Sequence, residues 1–124
     1  MILVRDVFQL RFGAAREAVA LWREGLDFVR QAGGARDVRL LTDLAGPYYT
    51  LVLETTYDNL TAFDREMHDT MGDERWRAWY ARFVPLVQSG HREMFTIVGA
   101  EVPPLPRAAE RERRTAGADA VRLE

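Results

Sequence analysis

Between Tyr48 and Ser89 the chain runs one strand-forming segment directly into two helix-forming ones, and few folds accommodate that order. The strand, Tyr48 to Tyr57, is rich in aromatic and β-branched residues and follows the turn signal Ala45-Gly46-Pro47. With period two, Tyr49, Leu51, Leu53 and Tyr57 make an apolar face interrupted by Thr55. Tyr48, Thr50, Val52, Glu54 and Thr56 make a mixed one. Asp58 reads as an N-cap, because its carboxylate can accept from the free amides of a first helical turn. Leu60, Phe63, Met67 and Met71 then recur at helical spacing, and Gly72-Asp73 breaks the helix. Trp76, Trp79, Tyr80, Phe83, Val84 and Val87 form a second stripe, which Pro85 should bend or shorten by removing a backbone donor.

The flanking chain supplies the rest of an α+β unit. Met1 to Phe12 reads as a strand with Ile2, Val4, Phe8, Leu10 and Phe12 on one face and Asp6 set among them. Its other face carries Leu3, Arg5, Val7, Gln9 and Arg11. Ala14 to Ala32 is helical, with an inward stripe through Leu21, Trp22, Gly25 and Phe28, and Gly33-Gly34 ends it. Gly25 costs about 1 kcal/mol against alanine in a helix, so close packing against the sheet is expected there. Arg36 to Leu44 reads as the hairpin partner of the Tyr48–Tyr57 strand, and Gly90 to Gly99 as the last strand. The order β-α-β-β-α-α-β predicts a ferredoxin-like α+β domain over residues 1–100. It has a four-stranded antiparallel sheet, helices on one face, and a second helical segment split in two. Residues 101–124, with Pro103-Pro104-Leu105-Pro106 and a run rich in arginine and glutamate, read as a tail, either flexible or an arm across a dimer.

The exposed sheet face then decides the assembly. Leu3, Val7, Leu41, Val52 and Tyr48 would interleave there with Arg5, Gln9, Arg39, Thr50 and Glu54. A wholly solvated face alternates more cleanly, and a core face does not carry this many charges. A second subunit packed sheet on sheet, with Arg5 and Glu54 paired across strands, satisfies both conditions, so a homodimer is expected.

Composition removes whole classes of chemistry. The 124 residues include no cysteine, which excludes disulfides and thiolate sites. All 17 basic residues are arginine, so a lysine Schiff base is excluded as well. A formal charge of −2 gives no basic footprint for nucleic acid. No stretch reaches the roughly 20 apolar residues of a membrane span, and Arg5 and Asp6 interrupt any leader-like run, so a cytoplasmic protein is expected. No Gly-rich phosphate loop, serine elbow or nucleotide fingerprint occurs, and no cofactor is expected. The two histidines, His68 and His91, have no histidine partner at i+4, and no metal is expected.

Four stretches stand out together: Val7-Phe8-Gln9-Leu10-Arg11-Phe12-Gly13, the helix with Trp22, Leu51-Val52-Leu53-Glu54 followed by Leu60-Thr61-Ala62-Phe63, and the closing Ser89-Gly90-His91-Arg92-Glu93-Met94-Phe95-Thr96-Ile97-Val98. In this pattern the chain resembles the NIPSNAP family. The wider group it is similar to is the dimeric α+β barrel superfamily. The resemblance covers about residues 2–99 and implies a homodimer whose two sheets close a barrel. It implies less about activity, because that superfamily includes cofactor-independent monooxygenases, haem-degrading enzymes and lactone isomerases. The asparagine, tryptophan and histidine pattern of the haem-degrading members does not map here. Asn59 is the one asparagine and sits at a helix start, so no catalytic role is transferred.

The residues that remain point to a ligand site between sheet and helices. Asp6 is a carboxylate on an apolar face, which needs either a polar pocket or an arginine partner. His68 lies four residues after Asp64, a spacing at which a helical pair could orient a base. Trp76, Trp79, Tyr80 and Phe83 crowd large rings with polar tips into one short helix. Asp6, Trp22, Tyr49, His68, Trp76 and Tyr80 are accordingly the candidate ligand contacts. The expected function is binding of a small hydrophobic or aromatic compound; the alternative is a cofactor-independent monooxygenase or isomerase acting on a flat hydrophobic one.

Overall fold

The computed structural model describes residues 1–100; the expectations for residues 101–124 lie outside the described residues. The elements are β1 (Ile2–Leu10), α1 (Ala15–Ala32), β2 (Asp37–Thr42), β3 (Thr50–Tyr57), α2 (Leu60–Met71), α3 (Glu74–Phe83), a 3-10 turn (Val84–Leu86) and β4 (Val87–Thr96). The strands form one antiparallel sheet in the order β2-β3-β1-β4. This is the ferredoxin-like α+β arrangement, the fold class of dimeric α+β barrel protomers, with its second helical segment divided at Gly72-Asp73 as the pattern predicts.

The helices cover the face of the sheet that carries Val4, Leu10, Leu51, Leu53 and Tyr57, all essentially out of solvent. The core has two parts. Leu10, Leu51 and Leu53 pack with Trp22, Trp79 and Phe83 in the larger one. Val4, Tyr57 and Phe63 form the smaller one under α2. Full burial of a leucine or phenylalanine in such a core contributes about 1.5–3 kcal/mol.

Gly25 packs against α3 rather than against the sheet. A β-carbon built on it would lie 2.4 Å from Cζ2 of Trp79, and Trp79 Nε1 donates to the Leu21 carbonyl one turn back at 2.9 Å. Gly33 ends α1 with φ +78°, the left-handed conformation that glycine adopts without a steric penalty.

Several boundaries differ from the sequence expectation, each for a local reason. The N-cap of α2 is Asn59, whose Oδ1 accepts from Ala62 N at 2.9 Å. Asp58 is instead held by Arg36 through bonds of 2.8 and 3.0 Å. Strand β3 begins at Thr50, because Tyr49 takes φ +61° and the Asp43 carboxylate accepts from Thr50 N at 2.9 Å. Strand β4 begins at Val87 rather than Gly90, since Ser89 pairs with Gln9 and Val87 with Leu10 across a register shift. As Pro85 requires, α3 stops at Phe83.

The opposite sheet face carries one transverse row of charge across all four strands, Arg39–Glu54–Arg5–Glu93. The contacts are Arg39 to Glu54 at 2.5 Å, Arg5 to Glu54 at 3.0 Å and Arg5 to Glu93 at 2.6 Å, with His91 3.1 Å from Glu93. The expected Arg5–Glu54 pair is therefore present, inside a longer network. No helix among the described residues is long and apolar enough to cross a membrane.

Candidate functional site

The two core clusters do not meet completely. Between them, under α2 and α3, lies a cavity of about 450 Å³ bounded by both. That volume falls within the range typical of small-molecule sites, about 300–1,000 Å³. Phe8, Trp22, Phe28, Trp76 and Tyr80 make its aromatic wall. Met71 and Tyr80 line it yet are 65% and 43% exposed, which places its opening between α2 and α3.

The rings are fixed by one another. Trp22 meets Trp79 edge to face at 4.6 Å and Phe83 at 5.6 Å, while Trp76 stacks on Trp79 at 4.8 Å and on Tyr80 at 5.9 Å. These offset and edge-on geometries suit the ring quadrupoles. They leave the Trp76 and Tyr80 rings at the cavity boundary.

A polar end faces this wall. The Asp6 side chain, 15% exposed, accepts from Arg92 Nε at 2.5 Å. The Arg92 guanidinium also lies 5.2 Å over the Phe63 ring. Glu66, buried on α2, accepts from the Tyr57 hydroxyl and from Gly34 N, the latter at 3.0 Å. A β-carbon at residue 34 would sit 2.7 Å from Glu66 Oε1, so glycine there lets the backbone donor reach the carboxylate. Burial, and then the bond to Glu66, push the Tyr57 phenol well above its ordinary pKa; it stays protonated as a donor. Thr55 is buried beside them on β3 and also lines the cavity.

The structure brings Asp6, Trp22, Trp76 and Tyr80 to this cavity, as their pattern suggested, and leaves two candidates outside it. His68 lies on the exposed flank of α2, one position beyond the inward Met67, and does not line the cavity. Tyr49 is turned out of the strand by its positive φ and packs on Phe12 at 5.0 Å. It lines a different, more open groove of about 740 Å³ at the start of α1, which lacks the enclosure of the first cavity. Asp6 has both environments foreseen for it, a cavity border and an arginine partner.

The Glu66–Tyr57 pair escaped the sequence reading. A signal was available: Glu66 follows Phe63 by three positions and so shares its inward face. Among the described residues no three histidine or carboxylate side chains converge as a metal site requires.

The fold is similar to that of a NIPSNAP family protein from Agrobacterium tumefaciens. The two share 20% identity over 85% of this chain and 98% of that one, with a TM-score of 0.71. An uncharacterized NIPSNAP domain protein from Burkholderia xenovorans is similarly close, at 17% identity over 82% of this chain and 100% of its own, with a TM-score of 0.71. A protein described as an antibiotic biosynthesis monooxygenase shares the fold at 18% identity, over 80% of this chain and 100% of that one, with a TM-score of 0.65. No curated protein sequence matches. The NIPSNAP family model matches residues 5–99, which takes in every described element but the first three residues of β1, and the chain belongs to the NIPSNAP family.

Proposed function

We propose that this NIPSNAP protein is a cytoplasmic homodimer that binds a small, flat, largely apolar compound in the cavity between sheet and helices. The observation that carries the ligand reading is the cavity itself, with an aromatic wall and a hydrogen-bonded polar end. A core built only for stability has no use for an opening of this size, because each lining atom there forgoes packing contacts. Titration with a panel of planar compounds, followed by tryptophan emission, tests it. Saturable quenching is expected, weakened about tenfold or more in Trp76→Ala. A panel without a saturable response overturns the reading.

The dimer is supported by the open sheet face. Leu3, Val7 and Val52 flank the ion-pair row and Leu41 and Phe95 remain exposed, a surface that suits a second copy better than water. A row of alternating sign is also self-complementary when turned about a twofold axis. Sedimentation at micromolar concentration should give a dimer, and Val7→Arg, which inserts a charge at the centre of the face, should give a folded monomer. A wild-type monomer would refute the assembly.

A second reading, proton-transfer chemistry of a cofactor-independent monooxygenase or isomerase, is favoured by the Glu66 carboxylate at the cavity. Set among apolar rings, it could take a proton from an acidic C–H of a bound compound. Deuterium exchange from solvent into a bound ligand, lost in Glu66→Gln, is the corresponding measurement.

A further inference from the structure

We propose that the compound the cavity takes is an aromatic carboxylic acid, seated ring first, with its carboxylate held at the mouth by Arg77. The inference rests on the preceding reading of the cavity as a ligand site; it adds which polar group the ligand carries and where that group lies. Arg77, Tyr80 and Ala81 stand at positions i, i+3 and i+4 on one face of α3, and all three line the cavity. Arg77 and Tyr80 are exposed, as is Met71 at the end of α2, so they belong to the opening rather than to the interior. The Arg77 guanidinium lies at the junction of the two helices, where Nη2 makes one long contact of 3.5 Å with the Gly72 carbonyl.

The lining holds two carboxylates and two guanidinium groups, and three of these four are already answered. Asp6 pairs with Arg92, and Glu66 accepts from the Tyr57 hydroxyl and Gly34 N. Asp73, the acidic residue of the junction, is taken by Arg75 at 3.1 Å. Arg77 is left with no carboxylate partner among the described residues, on the rim of an aromatic cavity. The Tyr80 and Thr70 hydroxyls stand on the same lining as further donors. A carboxylate suits this set, because the planar guanidinium fork matches its two oxygens. Asp6 and Glu66, both more buried, repel an acid group that goes deeper, so the ring faces inward and the acid outward. The Trp76 ring, stacked on Tyr80, offers the ring system a flat surface just below the mouth.

2-Naphthoate and 2-naphthamide, alike in ring and nearly alike in shape, test this by titration calorimetry. At low ionic strength and about pH 7, naphthoate should bind the wild-type protein at least about fivefold tighter than naphthamide, and added salt should narrow the gap. Arg77→Gln, a change at an exposed helix position, should leave naphthamide affinity within about twofold and bring naphthoate down to it. Arg77→Glu should reverse the order, with the amide above the acid. Naphthoate binding no tighter than naphthamide in the wild type, or a naphthoate preference that survives in Arg77→Gln, overturns the inference and leaves the cavity reading standing. If neither compound binds, the inference fails, and the wider panel decides the cavity reading separately.

Discussion

The two faces of the sheet begin from the same alternation of apolar and charged residues and end in opposite physical regimes. On the helix-covered face Glu66, brought down by α2, accepts from a phenol and a backbone amide in a water-poor cavity wall. On the open face Glu54 accepts from Arg5 and Arg39, in a row that extends to Glu93. Both carboxylates have two partners. The difference is what removal leaves behind: neutral donors stranded in the interior on one side, solvated guanidinium groups on the other. Polar residues on a strand or helix therefore mark a site by the kind of partner they find, not by their number.

The contrast is broken most severely through its apolar members. Leu51→Ala, on the covered face, should cost about 2–5 kcal/mol in chemical denaturation, independent of protein concentration. Leu41→Ala, on the open face, should cost less than about 1 kcal/mol in the isolated protomer. If the proposed dimer forms, any further loss should depend on concentration. The two carboxylates sharpen the comparison. Glu66→Leu should destabilise by about 1–3 kcal/mol by leaving the Tyr57 hydroxyl and Gly34 N–H without an acceptor. Glu54→Gln should change the stability of the isolated protomer by about 1 kcal/mol or less.

The last effect is a pH dependence on the alkaline side, carried by the covered face. A phenol with a raised folded pKa binds its proton more tightly folded than unfolded. The Tyr57 contribution is therefore complete below pH 10.0, the ordinary tyrosine value, and is lost as pH rises beyond it. Unfolding midpoints should fall above that pH in the wild type, and Tyr57→Phe should flatten the alkaline limb.

The architecture was legible because period-two and helical stripes survive averaging over many residues. Leu51, Leu53 and Tyr57 declared their face, and Pro85 announced the end of α3. Details that depend on a single competing bond were not legible. Asp58 and Asn59 are both cap-forming residues, and the choice fell to Arg36, a residue distant in sequence that claimed Asp58. Gly90 looked like a strand boundary, but inside the sheet it faces Phe8, whose Cδ1 would be 3.1 Å from a β-carbon there. The site was legible where large rings made it, at Trp22, Trp76 and Tyr80, and at Asp6, a charge on an apolar stripe. Tyr49 lies outside the cavity because of one backbone torsion, and His68 because of one helical position. Glu66 stayed hidden because a glutamate on an amphipathic helix ordinarily belongs to solvent.

The contact between Gly25 and the Trp79 ring constrains how this helix pair can drift over generations. A side chain at position 25 becomes tolerable only after a smaller ring has replaced Trp79, and that first step strips a layer from the interior. Substitution at the two sites is therefore ordered, and a lineage that took the steps in reverse would pass through an unfolded intermediate. Descendants of this chain should not carry a side chain at position 25 while keeping Trp79.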